Sequence, residues 1–455
     1  MSQTSSTGKA SGASKLRRTL TLWDLVLYGI VVIQPTAPMS VFGVLDKRGH
    51  GHVVTTILIA MAAMLFTAIS YGRMARAYPS AGSAFTYVGQ EINPALGYIT
   101  GWSMVMDYML NPMICVIWIS SQANVFVPDI PSWLWVIVVT LLFTSLNIVG
   151  VRTSARVNAG LAAGMGVVIL IFFAAAARVI FHTAHGAAFF TRPFYDPATF
   201  SLGTVLGGTS IAVLTYIGFD GISTLSEEVE NPRRNILLAT VFTCVAIGIL
   251  SALEVYAAQL INPTPDLSTE RMVDTAFVHV ASQAWAPLLA IVGFTLVVAN
   301  FGSGMGAMLG AARLLFGMGR SNALPKSFFG QVEPKSRIPR NNVLFVGVLT
   351  LGGAFVLNYD LGAQMLNFGA LIAFMGVNLA AFMRYYVRAP KKTLGNLLPP
   401  VLGFLICLLL WLSLSRTAQI AGAAWMLTGI AYGAWRTRGF KAELVNFDIP
   451  AEDEA

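Results

Sequence analysis

Cysteine is almost missing from this chain. The three present among 455 residues, Cys115, Cys244 and Cys407, each fall inside an apolar run. They make no spacing that would staple a small domain, and no Cys/His grouping of the kind that holds a metal. Disulfides and structural metals are therefore excluded as organising principles, no cofactor is expected, and the thiols read as packing residues. Charge is scarce too. Asp, Glu, Lys and Arg make up 11% of the residues, against about a quarter in a soluble domain. With 56% hydrophobic residues and a mean hydropathy of +0.68 over the whole length, that scarcity excludes an ordinary soluble globular protein. The net charge of +8 is spread over short loops and forms no single patch, which excludes nucleic acid as a partner. No repeated filter motif speaks for a channel, no long soluble domain for a sensor, and no nucleophile–base constellation for an enzyme.

What the chain has instead is apolar runs. A span needs about 20 apolar residues, and runs of that order follow one another at 22–45, 53–77, 95–121, 132–149, 157–181, 202–230, 236–260, 285–318, 342–357, 363–386, 397–414 and 421–435. The fold class is an all-α polytopic membrane protein of about 12 transmembrane helices, with the lipid bilayer as its surroundings. Residues 1–16, mostly Ser, Thr, Gly and Ala, read as a disordered tail. The first run follows Lys15, Arg17 and Arg18 and continues into Pro35 and Pro38 without a small-residue cleavage site, so it reads as a span and not as a cleaved leader. Arg73, Arg76, Arg152, Arg156, Arg233 and Arg234 fall on one side, and Lys47, Arg48, Arg192, Arg271 and Arg416 on the other. The alternation of more and less basic loops continues to the end of the chain. By the positive-inside rule it puts both termini in the cytoplasm.

Two runs are interrupted. The first contains Gln34-Pro35-Thr36-Ala37-Pro38, and the sixth contains Gly218-Phe219-Asp220-Gly221. A glycine weakens a helix by roughly 1 kcal/mol relative to alanine. In a bilayer, unwound backbone is tolerated only where it is buried in protein or lines a cavity. A proline kink would account for either break alone. Two breaks five spans apart are the pattern of inverted five-helix repeats whose broken helices meet at the membrane midplane. That organisation divides the chain into residues 17–181 (helices 1–5), 182–392 (helices 6–10), 393–436 (helices 11–12) and a cytoplasmic tail, 437–455.

Carboxylates at midplane depth cost at least a few kcal/mol, so they single out a site. Asp220 stands at the sixth break, flanked by Tyr216, Gly218 and Phe219. Asp107 lies deep in the third run beside Tyr108. Gln34 and Thr36 come from the first break. These are the expected substrate-binding residues; aromatic faces there suit an alkylammonium, and a cavity of carboxylates without lysine or arginine suits an amine. Asp107 and Asp220 have a structural alternative as buried acceptors that fix helix packing. Glu227, two turns past Asp220 on the same face, is the expected proton-coupling residue. Glu228 and Glu230 read as ion-pair partners of Arg233 or Arg234. Glu254, in the seventh run, stands open between burial and exposure near the outer interface.

Several segments carry a resemblance. Pro79-Ser-Ala-Gly-Ser-Ala-Phe-Thr-Tyr87, Gly101-Trp-Ser103 with Asp107-Tyr108, Gly218-Phe-Asp220 followed by Leu225-Ser-Glu-Glu228, Asn231-Pro-Arg-Arg-Asn-Ile236 and Asn367-Phe-Gly-Ala-Leu-Ile-Ala-Phe374 resemble the amino acid–polyamine–organocation transporter superfamily, most of all its bacterial putrescine importers. The resemblance covers nearly the whole chain after residue 16. It implies a LeuT-like five-plus-five inverted repeat plus two helices, alternating access, a bacterial inner-membrane location, and uptake of a small amine such as putrescine by proton symport, with an amino acid permease or exchanger as the alternative. It also implies that Tyr108 and a carboxylate of the sixth helix line the substrate path, and it is compatible with a monomer or a weak homo-oligomer. The chain departs from the superfamily twice. Amino acid members carry a Gly-Ser-Gly-like first break whose amides bind the substrate carboxylate; here the two prolines remove donors. Some members use a fifth-helix lysine for proton coupling, whereas residues 158–171 contain none and Met165 falls near that place.

Overall fold

The computed structural model describes residues 20–439 apart from 79–82, 151–154, 183, 226–228, 321–323 and 334–337. The two tails, most of the Pro79 segment, Glu227 and Glu228 thus lie wholly or largely outside the described residues. The chain forms α1 (Leu22–Ile33), α2 (Ala37–Gly49), α3 (Val53–Ala77), α4 (Ser83–Glu91), α5 (Pro94–Phe126), α6 (Ser132–Val149), α7 (Ala155–Ile180), α8 (Ala187–Thr191) and α9 (Leu202–Ala212). Two 3-10 turns, Val213–Tyr216 and Phe219–Leu225, precede α10 (Pro232–Ile261), α11 (Glu270–Asp274), α12 (Ala276–Ala284), α13 (Leu288–Arg320), α14 (Lys326–Phe329) and α15 (Arg340–Val356). Then come α16 (Tyr359–Phe382), extended by a π turn over Met383–Val387, α17 (Leu394–Leu412) and α18 (Arg416–Arg436).

Among the described residues nine helices are long and apolar enough to cross a membrane, and the bent pair α1–α2 makes a further span broken by 47°. Helix α15 is apolar but shorter. The side chains confirm the environment: Leu170, Val348 and Leu427 are exposed although apolar, as a helix in lipid requires. Inside, α10 packs along α3, and α5 packs along both α13 and α16.

The break in the first span follows from its residues. A residue before proline is pushed out of the α region; Gln34, before Pro35, ends α1 at φ 67°. Pro38 then sits in the first turn of α2, where its missing N–H costs nothing. At its start α1 is closed by a capping box between Thr21 and Asp24.

Polar contacts tie the bundle at both ends. At the more basic end, Glu91 of α4 is buried and accepts from Arg384 at 2.6 Å and Arg388 at 2.7 Å, both at the π turn of α16, and from the Tyr78 hydroxyl at 2.7 Å. At the opposite end, Arg48 of α2 grips Asp360 of α16 with contacts of 2.6 and 3.2 Å, and Lys47 pairs with Glu270 of α11 at 3.6 Å.

Candidate functional site

The two broken spans meet. Gly218 has φ 120°, a conformation that glycine alone adopts readily. A Cβ there would lie 3.1 Å from Val32 and 3.4 Å from Ile33 at the end of α1. The unwound segment of the sixth span therefore lies against the break of the first. Within this segment the Gly221 amide donates to the Gly218 carbonyl at 3.0 Å. The Ser223 hydroxyl closes the turn on the Asp220 carbonyl at 2.6 Å.

Asp107 lies at a close crossing of α5 with α16. At Gly369 of α16, a Cβ would fall 2.5 Å from the Ser103 carbonyl and 3.4 Å from the Asp107 amide, so only glycine lets α16 pass the turn of α5 that carries the acid. Asp107 and Asp220 are 7% and 6% exposed. Each lies within electrostatic reach of the other, and both act on Tyr108 and Tyr71. Among the described residues, neither acid forms an ion pair with lysine or arginine. Two buried carboxylates without a basic ion-pair partner among the described residues form a site that attracts a cation.

Aromatic rings lie next to the acids. Tyr71 of α3 meets Phe219 at 5.5 Å and Phe374 of α16 at 5.9 Å, and Phe219 and Phe374 lie 5.4 Å apart. Tyr87 of α4 joins through Tyr71 at 6.1 Å. The Tyr71 hydroxyl is buried without a hydrogen-bond partner. Sequence reasoning singled out Phe219 but missed Tyr71, Tyr87 and Phe374. The last two stand in segments that carried the resemblance, which was the available signal; Tyr71 has none, because a tyrosine in a span reads as packing.

The other expected residues are placed as follows. Gln34 turns its amide to the Ala299 carbonyl of α13 at 2.7 Å. Thr36 is buried with its hydroxyl toward Met165 of α7. The Tyr108 ring lies against α13 at Gly310. Tyr216 is not brought to the acids; its hydroxyl donates to the Ile57 carbonyl of α3 at 3.0 Å. Glu230 is exposed, and its backbone takes part in pairing with Leu20. Glu254, left open by the sequence, is fully buried. The three cysteines are buried and free. Among the described residues no grouping of His, Cys, Asp and Glu could hold a metal ion.

Known proteins share this chain's sequence along nearly its full length. The family described as amino acid permease matches residues 38–446. The low-affinity putrescine importer PlaP of Escherichia coli is 34% identical over 446 residues, covering 95% of this chain and 97% of that protein. The cationic amino acid transporter 6, chloroplastic, of Arabidopsis thaliana is 27% identical over 84% of this chain and 68% of its own length. The branched-chain amino acid permease BcaP of Bacillus subtilis is 25% identical, covering 92% and 93%.

Proposed function

This chain belongs to the amino acid permease family and is thus a multi-pass membrane transporter, not an enzyme; from that premise we propose that it imports a small cationic amine, putrescine or a related polyamine, by proton symport. The observation that carries the reading is the buried pair Asp107 and Asp220 beside aromatic faces. The two ammonium groups of a diamine balance the two carboxylates, and the Phe219 and Phe374 rings take the alkyl chain and the cation's face. The likeness to a putrescine importer over 97% of that protein's length supports the same substrate class.

The first break favours an amine over an amino acid. Pro35 and Pro38 have no N–H, and the amides of Gln34, Ala37 and Met39 already donate to Ile30, Gln34 and Thr36. A substrate carboxylate would find few donors at the start of α2, where a half-helix otherwise offers its positive end. Gln34, Thr36, Tyr108, Gly218 and Phe219 complete the proposed lining, and Tyr216, held on α3 through Ile57, backs the segment. Residues 17–181 and 182–392 form the inverted repeats, which the matching breaks of the first and sixth spans support. The protein sits in the inner membrane with both termini cytoplasmic, so the more basic end of the bundle faces the cytoplasm. Glu227, beyond the described segment, carries the coupled proton.

The test is uptake into proteoliposomes. Labelled putrescine is expected to accumulate under an imposed proton gradient, with neutral amino acids failing to compete. Uptake of a neutral amino acid with no response to putrescine would overturn the reading.

A further inference from the structure

We propose that the basic cluster where the end of α3 meets the link from α16 to α17 binds the phosphate of an anionic phospholipid, whose acyl chain lies on the exposed face of α17. The proposal does not depend on what the protein transports. Pro390 cannot continue a helix, so after the π turn of α16 the chain turns at the surface and restarts as α17 at Leu394. Lys391 and Lys392 fall in that link and are exposed. Arg73 and Arg76 stand at the end of α3, the first half-buried and the second exposed.

Hydrogen bonds bring the two segments together. The Arg73 guanidinium donates to the Gly395 carbonyl at 3.1 Å and to the Asn396 side chain at 3.5 Å. The Tyr385 hydroxyl donates to the Arg73 carbonyl at 2.7 Å, and Arg384, Arg76 and Arg73 all lie within electrostatic reach of that hydroxyl. Lys392 lies over the Tyr386 ring at 5.7 Å. Charge is unbalanced here. Residues 73–78, 83–91 and 384–396 carry six cations against one carboxylate, Glu91, and Glu91 is already held by Arg384 and Arg388. Among the described residues, Arg73, Arg76, Lys391 and Lys392 form no ion pair. Four cations from two elements thus stand together against their mutual repulsion, and a phosphate relieves it with charge-assisted hydrogen bonds.

The apolar side says which phosphate. Leu394, Leu398, Leu405, Leu409 and Leu412 are exposed, and their spacing lines them along one side of α17. The stripe starts two residues after Lys392. A phosphate held by the cations lets its ester chains lie on that stripe. A soluble phosphate has no use for the leucines, whereas a phospholipid uses both parts. Basic pockets between membrane helices take anionic headgroups in this way. In the orientation proposed above this end faces the cytoplasm, the side on which the leaflet carries anionic lipid.

Native mass spectrometry of the purified full chain tests this, with phosphatidylglycerol and phosphatidylcholine titrated in as probes. Wild type is expected to retain phosphatidylglycerol in preference to phosphatidylcholine; equal retention marks apolar contact alone and overturns the proposal. Lys391→Gln combined with Lys392→Gln is expected to weaken retention about thirtyfold, and Arg76→Gln alone about fivefold. Lys391→Arg with Lys392→Arg keeps the charges and is expected to stay near wild type. Lys326→Gln removes an exposed cation of α14, at the same end of the bundle, and is expected to change nothing. If it weakens retention as much as Arg76→Gln does, the attraction is diffuse and the proposal falls. Wild-type retention in the double glutamine variant also overturns it. Should that variant lose monodispersity in detergent, the comparison of Arg76→Gln with Lys326→Gln decides alone. Inorganic phosphate is expected to displace no more lipid than chloride does at equal ionic strength; greater displacement marks a site for soluble anions and overturns the proposal.

Discussion

The hydroxyl of Thr36, in the first break, points at the sulfur of Met165 on α7, 3.9 Å away. An uncharged thioether thus stands beside the first break, near the place where the resemblance puts a coupling lysine in some superfamily members. Putting the charge back should oppose a cationic substrate. At roughly 8 Å and an effective dielectric of 20, like charges repel by about 2 kcal/mol. Met165→Lys is therefore expected to weaken putrescine binding by more than tenfold, read as KM in proteoliposome uptake, while a zwitterionic amino acid is affected less. Equal loss for both ligands would point to disrupted packing at Thr36.

Asp220→Asn removes one charge and keeps the shape of the turn. Transport is expected to fall to a few per cent of wild type or below, with membrane insertion and detergent monodispersity unchanged, because asparagine has the same shape and the turn keeps its Gly221-to-Gly218 and Ser223-to-Asp220 hydrogen bonds. Wild-type affinity and rate in this variant would remove Asp220 from the substrate site.

Tyr71→Phe gives a sharper separation of stability from function. Deleting a buried hydroxyl that has no partner is neutral or stabilising for the fold. Thermal unfolding in detergent is expected to stay level or rise, while putrescine KM rises several-fold, because the hydroxyl's remaining use is towards the substrate. An unchanged KM would make Tyr71 a packing residue.

Asp274 predicts a pH dependence of stability. It lies in the short helix α11, bonded by the Ser121 hydroxyl at 2.6 Å. Burial, offset by Ser121 and reinforced by Glu270 and Asp360 against the opposing Lys47, pushes its carboxyl up to about 7. Its folded value exceeds its unfolded one, so its contribution is fully present below the unfolded value near 4 and is lost as pH rises through 7. The melting temperature of the wild type is expected to fall over that window, by an amount on the order of a few kcal/mol in stability. Asp274→Asn should flatten that part of the profile; a variant with the wild-type slope would assign the dependence to another group.

The span boundaries were legible because burial in lipid leaves apolar runs: the run read as 53–77 is α3 to the residue. The two breaks were legible because proline and glycine act locally, although the sixth span leaves the α-helix at Val213, before its first glycine of the break. The π turn after Phe382 was not legible, since no residue in Met383–Val387 demands it. Depth could be read from position along a run, but the face could not. Asp107 and Glu254 were both placed within spans, yet only packing distinguishes an acid beside a second acid from one enclosed without a partner. Tyr71 and Phe374 come from helices far apart in sequence, and their meeting across Phe219 has no local signature.

The helix α16 is pinned at each extremity, to α2 by Asp360 and Arg48 and to α4 by Arg384, Arg388 and Glu91. A rod fastened at both ends behaves as a strut. It resists sliding along its own axis, since one turn of travel would sever the links on both faces. Rotation of α2 at one surface must then either release Asp360 or load the rod and draw on the arginine pair at the other. A displacement of α2 at one surface is thus felt, through α16, at the Glu91 clasp on the other.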